Sequence, residues 1–366
     1  MTATSFRRRA TASVAAAALV LPLSVAAVAP AVDRAAAGTF LVDRGWPPYA
    51  GQPYAYLAPY ASTASLDTAE ATSTQAQGLV TISSEVGFGE GEAAGTGIVL
   101  GSDGLVVTNH HVVEGATSIE VTVVNTEQTY DAEVLGYNAK RDVAVLQLED
   151  AIGLATVSTD AGRVSVGDDV TAVGDAGGDG GALTAADGTV TDDSHSITVS
   201  DEQTGEAHRL TELIEVDADI IPGDSGGALL SSSGQVVGMN VAASSGSAQI
   251  TGYVIPIKRV LRIAARVVAG QDTASITLGY DAFLGVSLSG SGTTLAGVLP
   301  RGAAESAGLR AGDSITSIGG TSATTYTQLR RAVAAHDPGD RVHITWTDAV
   351  GAKHSATVTL GRAPVA

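Results

Sequence analysis

"GTGIVLGSDGLVVTNHHVV", residues 95–113, decides the fold. Two short runs rich in Ile, Val and Leu flank Gly-Ser-Asp-Gly, so the chain reverses within a few residues, the signature of antiparallel strands. The second run delivers two adjacent histidines, His110 and His111. Neighbouring residues on an extended strand point to opposite faces, so the two can hardly share one task.

Outward from this stretch the pattern repeats. "GLVTISSEV", "SIEVTVVN", "DAEVLGY", "DVAVLQL", "DDVTAVG", "SITVS", "QVVGMNV" and "TGYVIP" are β-type runs split by Gly, Asp and Asn. Many strands at short spacing predict a mostly β barrel or sandwich. "IKRVLRIAARVVAG" then sets Ile257, Val260, Leu261, Ala264, Val267 and Val268 at helical spacing and stops at Gly270, closing a first domain over residues 78–270. A second unit follows over residues 277–362. It mixes strands with the helical "YTQLRRAVAAH" and is α+β. On that helix Leu329 and Val333 lie four apart on one face, where they line a pocket or fill the core.

Upstream, residues 38–77 hold clustered Pro and Tyr and then Ser, Thr and Ala without periodicity, the composition of a linker. Residues 1–37 carry "RRR" before a long Ala/Val/Leu run with small residues. That is an export signal, cleaved after Ala31 or Ala37, or an uncleaved membrane anchor over residues 11–32. The expected location is therefore extracellular or at the cell envelope.

Bulk composition excludes several classes. Of 366 residues, 39 are acidic and 20 basic, and the net charge of −19 repels polyanions, so nucleic-acid binding is not expected. Cysteine is absent, which removes disulfides, thiolate metal sites and a cysteine nucleophile. No metal-ligand spacing appears, and no cofactor is implied. The acidic stretch from Asp192 to Asp219 reads as a solvated loop in preference to a cation site.

The chemistry concentrates in "DADIIPGDSGGALL", residues 217–230, where glycines surround Ser225. Glycines let the backbone turn sharply and let N–H groups converge on one point, as an acyl-transfer enzyme needs for an oxyanion. Alone, "GDSGG" is equally an ordinary turn. A serine nucleophile also needs a base, and the base an orienting acid. "TNHHVV", "KRDVAVLQL" and "GDSGG" follow in the order His, Asp, Ser, the order of the chymotrypsin class. Asp131, Asp142, Asp150 and Asp217 are all candidates for the acid.

With "GTGIVLGSDGLVVTNHHVV", "DVAVLQL" and "GDSGGALL" together, the sequence resembles the HtrA/Deg family of exported trypsin-like serine proteases with a C-terminal PDZ domain. The resemblance runs from about Gly78 to Leu360. It implies a chymotrypsin-like double six-stranded antiparallel β-barrel followed by a PDZ domain. It also implies a triad of His111, Asp142 and Ser225, with an oxyanion hole from the N–H groups of Gly223 and Ser225. The family's catalytic histidine directly precedes two valines, so His111 is the base. His110 stands where Asn is common, in a solvated or supporting role dispensable for activity.

"FLGV", Phe283, Leu284, Gly285 and Val286, matches the PDZ loop that captures a C-terminal carboxylate, and "SAGLRAGDSITSIGG" strengthens the match. The implied partners are unfolded or misfolded proteins and C-terminal peptides, with homotrimer assembly as the family's habit. Asp219, six before Ser225, occupies the position at the base of a trypsin-like specificity pocket. There it favours Lys or Arg substrates, or it points to water and leaves the family's small apolar preference. "GDAGGDGG" at 174–181 departs from the family's pattern and is expected to be mobile, with a resting-inactive protease domain acting as a PDZ adaptor as the rival function.

Overall fold

A computed structural model describes residues 39–40, 66–200, 207–243 and 251–366. The export signal or anchor over residues 1–37, and residues 41–65 of the expected linker, lie outside the described residues. Among the described residues no helix is long and apolar enough to cross a membrane.

Six strands build the first barrel: β1 (Leu79–Val86), β2 (Gly91–Val99), β3 (Leu105–Thr108), β4 (Ala116–Val123), β5 (Gln128–Asn138) and β6 (Val143–Leu148). They pair antiparallel in the order β5-β4-β1-β2-β3-β6, and β6 returns to β5, so the sheet closes and leaves no free edge. The opening hairpin is β2–β3, paired Ile98↔Val107 and Val99↔Val106. The second barrel follows with β7 (Asp169–Gly174), β8 (Thr184–Ser200), β9 (Ala207–Val216), β10 (Ala228–Ser231), β11 (Val236–Ala243) and β12 (Gly252–Pro256). Its ring runs β9-β12-β11-β10-β7-β8 and closes between β8 and β9.

The first half of β1 is buried on both faces, and the second half alternates. In β1 the apolar Leu79, Val80, Ile82 and Val86 are buried while Ser83 and Glu85 are exposed. Each fully buried Leu, Ile or Val of these cores contributes roughly 1.5–3 kcal/mol. Two four-residue or longer helices belong to this domain, α1 (His110–Val113) and α2 (Ile257–Val268). Helix α2 buries Ile257, Val260, Ile263, Ala264 and Val267 against the barrel core, and stops where Gly270 turns left-handed. Val268, expected on that face, is exposed, because the last turn rotates it outward and Ile263 takes its share of the core.

Three sequence expectations change here. His110 and His111 open a one-turn helix and do not extend a strand. The last part of the expected linker is folded: Ala69–Glu70 pairs with Thr184–Ala185, and Ala76 is buried in the core behind a turn capped by Thr72 and Gln75. The acidic stretch from Asp192 is largely a β8–β9 hairpin, since its charges find partners. His195 lies 2.9 Å from Glu215 and 3.4 Å from Asp192, and Arg259 pairs with Glu212 at 2.6 Å.

The second unit centres on Leu284, Ile315, Ile318, Leu329, Ile344 and Trp346. Its sheet pairs Ser314–Ile318 with Arg341–Thr347, and Arg341–Thr347 with Lys353–Thr359. The helix Tyr326–Val333 starts at Thr325, whose hydroxyl caps it by accepting the Gln328 N–H, while the Gln328 side chain reaches back to accept the Thr324 N–H. Leu329 and Val333 fill the core.

Candidate active site and peptide groove

The first barrel supplies a held histidine. His111 Nδ1 lies 2.9 Å from Asp142 Oδ2, and the His111 backbone N–H donates to Asp142 Oδ1 at 3.0 Å. Asp142 takes up a left-handed conformation after the turn Ala139–Arg141, which a short polar side chain tolerates, and Asn109 Nδ2 fixes its carbonyl at 3.0 Å. A carboxylate only accepts, so Nδ1 carries the hydrogen and Nε2 is the free base of the neutral ring. Burial pulls the His111 pKa down, but the Asp142 charge and hydrogen bond outweigh it and hold it above the ordinary histidine value. Asp142 is penalised by burial in turn, yet His111 holds its pKa below the usual carboxylate range.

The second barrel supplies the serine. Gly223 has φ +99°, and any Cβ there would collide with the Asp175 carbonyl, so only glycine fits this turn. Among the described residues neither the Gly223 nor the Ser225 N–H has an acceptor, while the Asp224, Gly226 and Gly227 N–H groups around them are all bonded. Both donors are therefore unspent within the fold, which an oxyanion hole requires. Ser225 Oγ donates to the Val241 carbonyl at 2.9 Å, and among the described residues no hydrogen bond joins it to His111.

Thr96, which the sequence reading passed over, ties the two halves together. Its hydroxyl donates to the Gly223 carbonyl and accepts the Asp175 N–H, both at 2.9 Å, and its own N–H donates to the Ser225 carbonyl at 2.8 Å. The signal was its place in "GTG", because a Cβ on Gly95 would crowd Val112 and the Ser225 carbonyl. The 174–181 segment, expected to be mobile, is pinned here: Gly177 N–H donates to the Pro222 carbonyl and Gly180 N–H to Asp175, both contacts near 3 Å. It borders a cavity of about 380 Å³ that Glu92, Glu120 and Gly223 also line. Burial, above all, raises the pKa of Asp175, and that of Asp224 is pushed up to about 7.

The remaining sequence candidates fall elsewhere. Asp219 Oδ2 accepts the Asp67 N–H at 2.7 Å, so its carboxylate engages the chain segment ahead of the barrel. Asp217 holds Thr189. His110, expected to be solvated or supporting, is 4% exposed, because its ring stacks on Tyr137. In the "FLGV" loop Phe283, Leu284 and Val286 are buried, and Gly285 has φ +75°, a left-handed position that glycine takes up without strain. The adjacent strand Val286–Leu288 pairs with Leu295–Val298 on one edge and Thr39–Phe40 on the other. No group of three or more candidate metal ligands occurs among the described residues.

Two closed β-barrels, one carrying a held His–Asp pair and the other a glycine-framed serine, followed by a small α+β domain, define a trypsin-like serine peptidase with a PDZ domain. Comparison agrees: a trypsin-like peptidase domain matches residues 95–239 and a PDZ domain residues 294–347. The serine protease Do-like HtrA of Lactococcus lactis subsp. lactis is 32% identical over 276 residues, covering 69% of this chain and 67% of that protein. The periplasmic pH-dependent serine endoprotease DegQ of Escherichia coli is 30% identical, covering 69% and 56%. Among solved structures the Rv3671c protease from M. tuberculosis, in its active form, is 28% identical with a TM-score of 0.48, covering 55% and 85%. The chain belongs to the HtrA family of serine endopeptidases.

Proposed function

We propose that the protein is an exported endopeptidase that hydrolyses peptide bonds of unfolded or misfolded proteins through His111, Asp142 and Ser225, with a PDZ domain that binds C-terminal peptides. The observation that carries it is the doubly held His111 on the first barrel together with a glycine-framed Ser225 whose own N–H and that of Gly223 are unspent.

The chemistry follows from these atoms. Ser225 Oγ turns from the Val241 carbonyl, gives its proton to His111 Nε2 and attacks the scissile carbonyl carbon. The carbonyl oxygen becomes an oxyanion held by the Gly223 and Ser225 N–H groups, a contact whose single-donor loss costs about 3 kcal/mol. His111 then protonates the leaving amine as the C–N bond breaks. Water, deprotonated by His111, releases the acyl group and restores Ser225. Asp142 stabilises the imidazolium in both halves and keeps the tautomer that exposes Nε2. Because the Asp219 carboxylate already accepts a backbone N–H, small or medium apolar residues are the expected side chains at the cut.

Wild type and Ser225→Ala on unfolded casein test the reading: only the wild type should generate fragments. A second reading, a resting-inactive domain awaiting a PDZ signal, is favoured by one observation, the Ser225 hydroxyl bonded to Val241 and not to His111. Under it, casein cleavage appears only after a C-terminal peptide is added.

A further inference from the structure

We infer that His110 is a positioning residue for the reaction, and that residues 363–366 are the brace that holds it. This rests on reading His111 as the general base.

Helix α1 is a single turn without a side-chain cap, too short to be fixed by its own hydrogen bonds, so tertiary contacts must set the direction of His111. Those contacts converge from the far end of the chain. His110 Nε2 lies 2.8 Å from the Ala366 carbonyl oxygen. A carbonyl only accepts, so Nε2 is the donor, and the ring is clamped between this bond and the Tyr137 ring at 4.6 Å. One turn later, where α1 gives way to β4, the Gly115 N–H donates to the Val365 carbonyl at 2.7 Å and the Val365 N–H to the Ala116 carbonyl at 3.1 Å. Val365 is buried in the same cluster as Val112, Val113, Ala116 and Tyr137. The brace therefore touches both ends of the helix that presents His111.

Its other end is tied to the peptide-binding domain. The Ala363 N–H donates to the Asp281 carbonyl at 2.9 Å, and Gly361–Arg362 pairs with Ala282–Phe283, the strand that enters the "FLGV" loop. Arg362 adds an ion pair to Glu133 on β5 at 2.6 Å. Four residues thus separate a ladder beside the carboxylate loop from the neighbour of the catalytic base.

The test uses the full chain on a short C-terminally amidated peptide, with fluorophosphonate labelling in parallel. His110→Ala and deletion of 363–366 should each lower kcat and labelling rate about tenfold with KM within twofold. Combined they should lose clearly less than the product of the two single losses, because both remove the shared His110–Ala366 contact. His110→Gln, whose amide still donates, should keep at least half the wild-type kcat. Val365→Ser loosens the brace while leaving its main-chain hydrogen bonds in place, and should lower kcat even if the deletion fails to fold. Wild-type kcat in folded His110→Ala and Val365→Ser, or losses that multiply in the combined variant, overturns the inference while leaving the base assignment intact. A wild-type chain that takes no label under any condition overturns the base assignment itself.

Discussion

Replacing Asp224 by Asn should stabilise the protein at alkaline pH and do nothing at acid pH. The carboxyl is 4% exposed, Oδ2 accepts the Ile221 N–H at 2.8 Å, and Oδ1 has no partner. There is no room to turn out, since the end of β7 lies against it and a Cβ on Gly174 would stand 2.7 Å from Oδ1. Burial first, and Asp175 second, push the pKa to about 7 against the Ile221 bond, from an ordinary value of 3.8. A folded pKa above the unfolded one means that the native state keeps a proton the unfolded chain releases. That stabilisation is complete below about pH 4, declines as pH rises, and is gone above about pH 7; its total is roughly 4 kcal/mol. Asn preserves the shape and the acceptor for Ile221 without the charge. Urea unfolding of Ser225→Ala and of Ser225→Ala/Asp224→Asn, chosen to prevent autolysis, should coincide near pH 4 and separate by about 3–4 kcal/mol at pH 8. Parallel stability profiles, or a less stable Asn variant at pH 8, would refute the buried-carboxylate reasoning.

Four further outcomes are expected. The acid limb of kcat/KM should have its midpoint above the ordinary histidine value of about 6.5, because Asp142 favours the imidazolium that must lose its proton to act as base; Asp142→Asn should move it down and cut kcat by roughly 10⁴-fold. Gly223→Ala, which puts a methyl against the Asp175 carbonyl, should cost at least about 10²-fold in kcat, read by steady-state peptide hydrolysis. Matched peptides ending in Arg, Val or Ala at the cut should show no Arg preference in kcat/KM, and Asp219→Ala should leave their order unchanged. Gly285→Val strains a left-handed position and should abolish binding of a labelled C-terminal peptide in fluorescence anisotropy, leaving hydrolysis of an amidated peptide untouched.

How much was legible in sequence depended on the range of the interaction. The β2–β3 hairpin, α2 and its stop at Gly270 are written in two apolar runs around a Gly-Ser-Asp-Gly turn, in helical spacing and in one glycine. The His111–Asp142 pair, 31 residues apart in sequence, was reachable only through a resemblance that ordered the motifs. What escaped was set by distant partners. Nothing near His110 announces a bond to Ala366, 256 residues on, so it read as a solvated or supporting neighbour of the base. Thr96 was passed over because its hydrogen bonds run to the distant Asp175, Gly223 and Ser225. The acidic hairpin read as a solvated loop because charge count hides pairing: His195 bridges Asp192 and Glu215 across two strands.

The most direct test of the account is the site of fluorophosphonate modification, mapped by mass spectrometry on the full chain with and without an unfolded protein and a C-terminal peptide. A single phosphonylated residue, Ser225, is expected, with the label absent in His111→Ala and slowed as pH falls through the pKa of His111. Labelling at another residue, or none at Ser225 under any of these conditions, would contradict it.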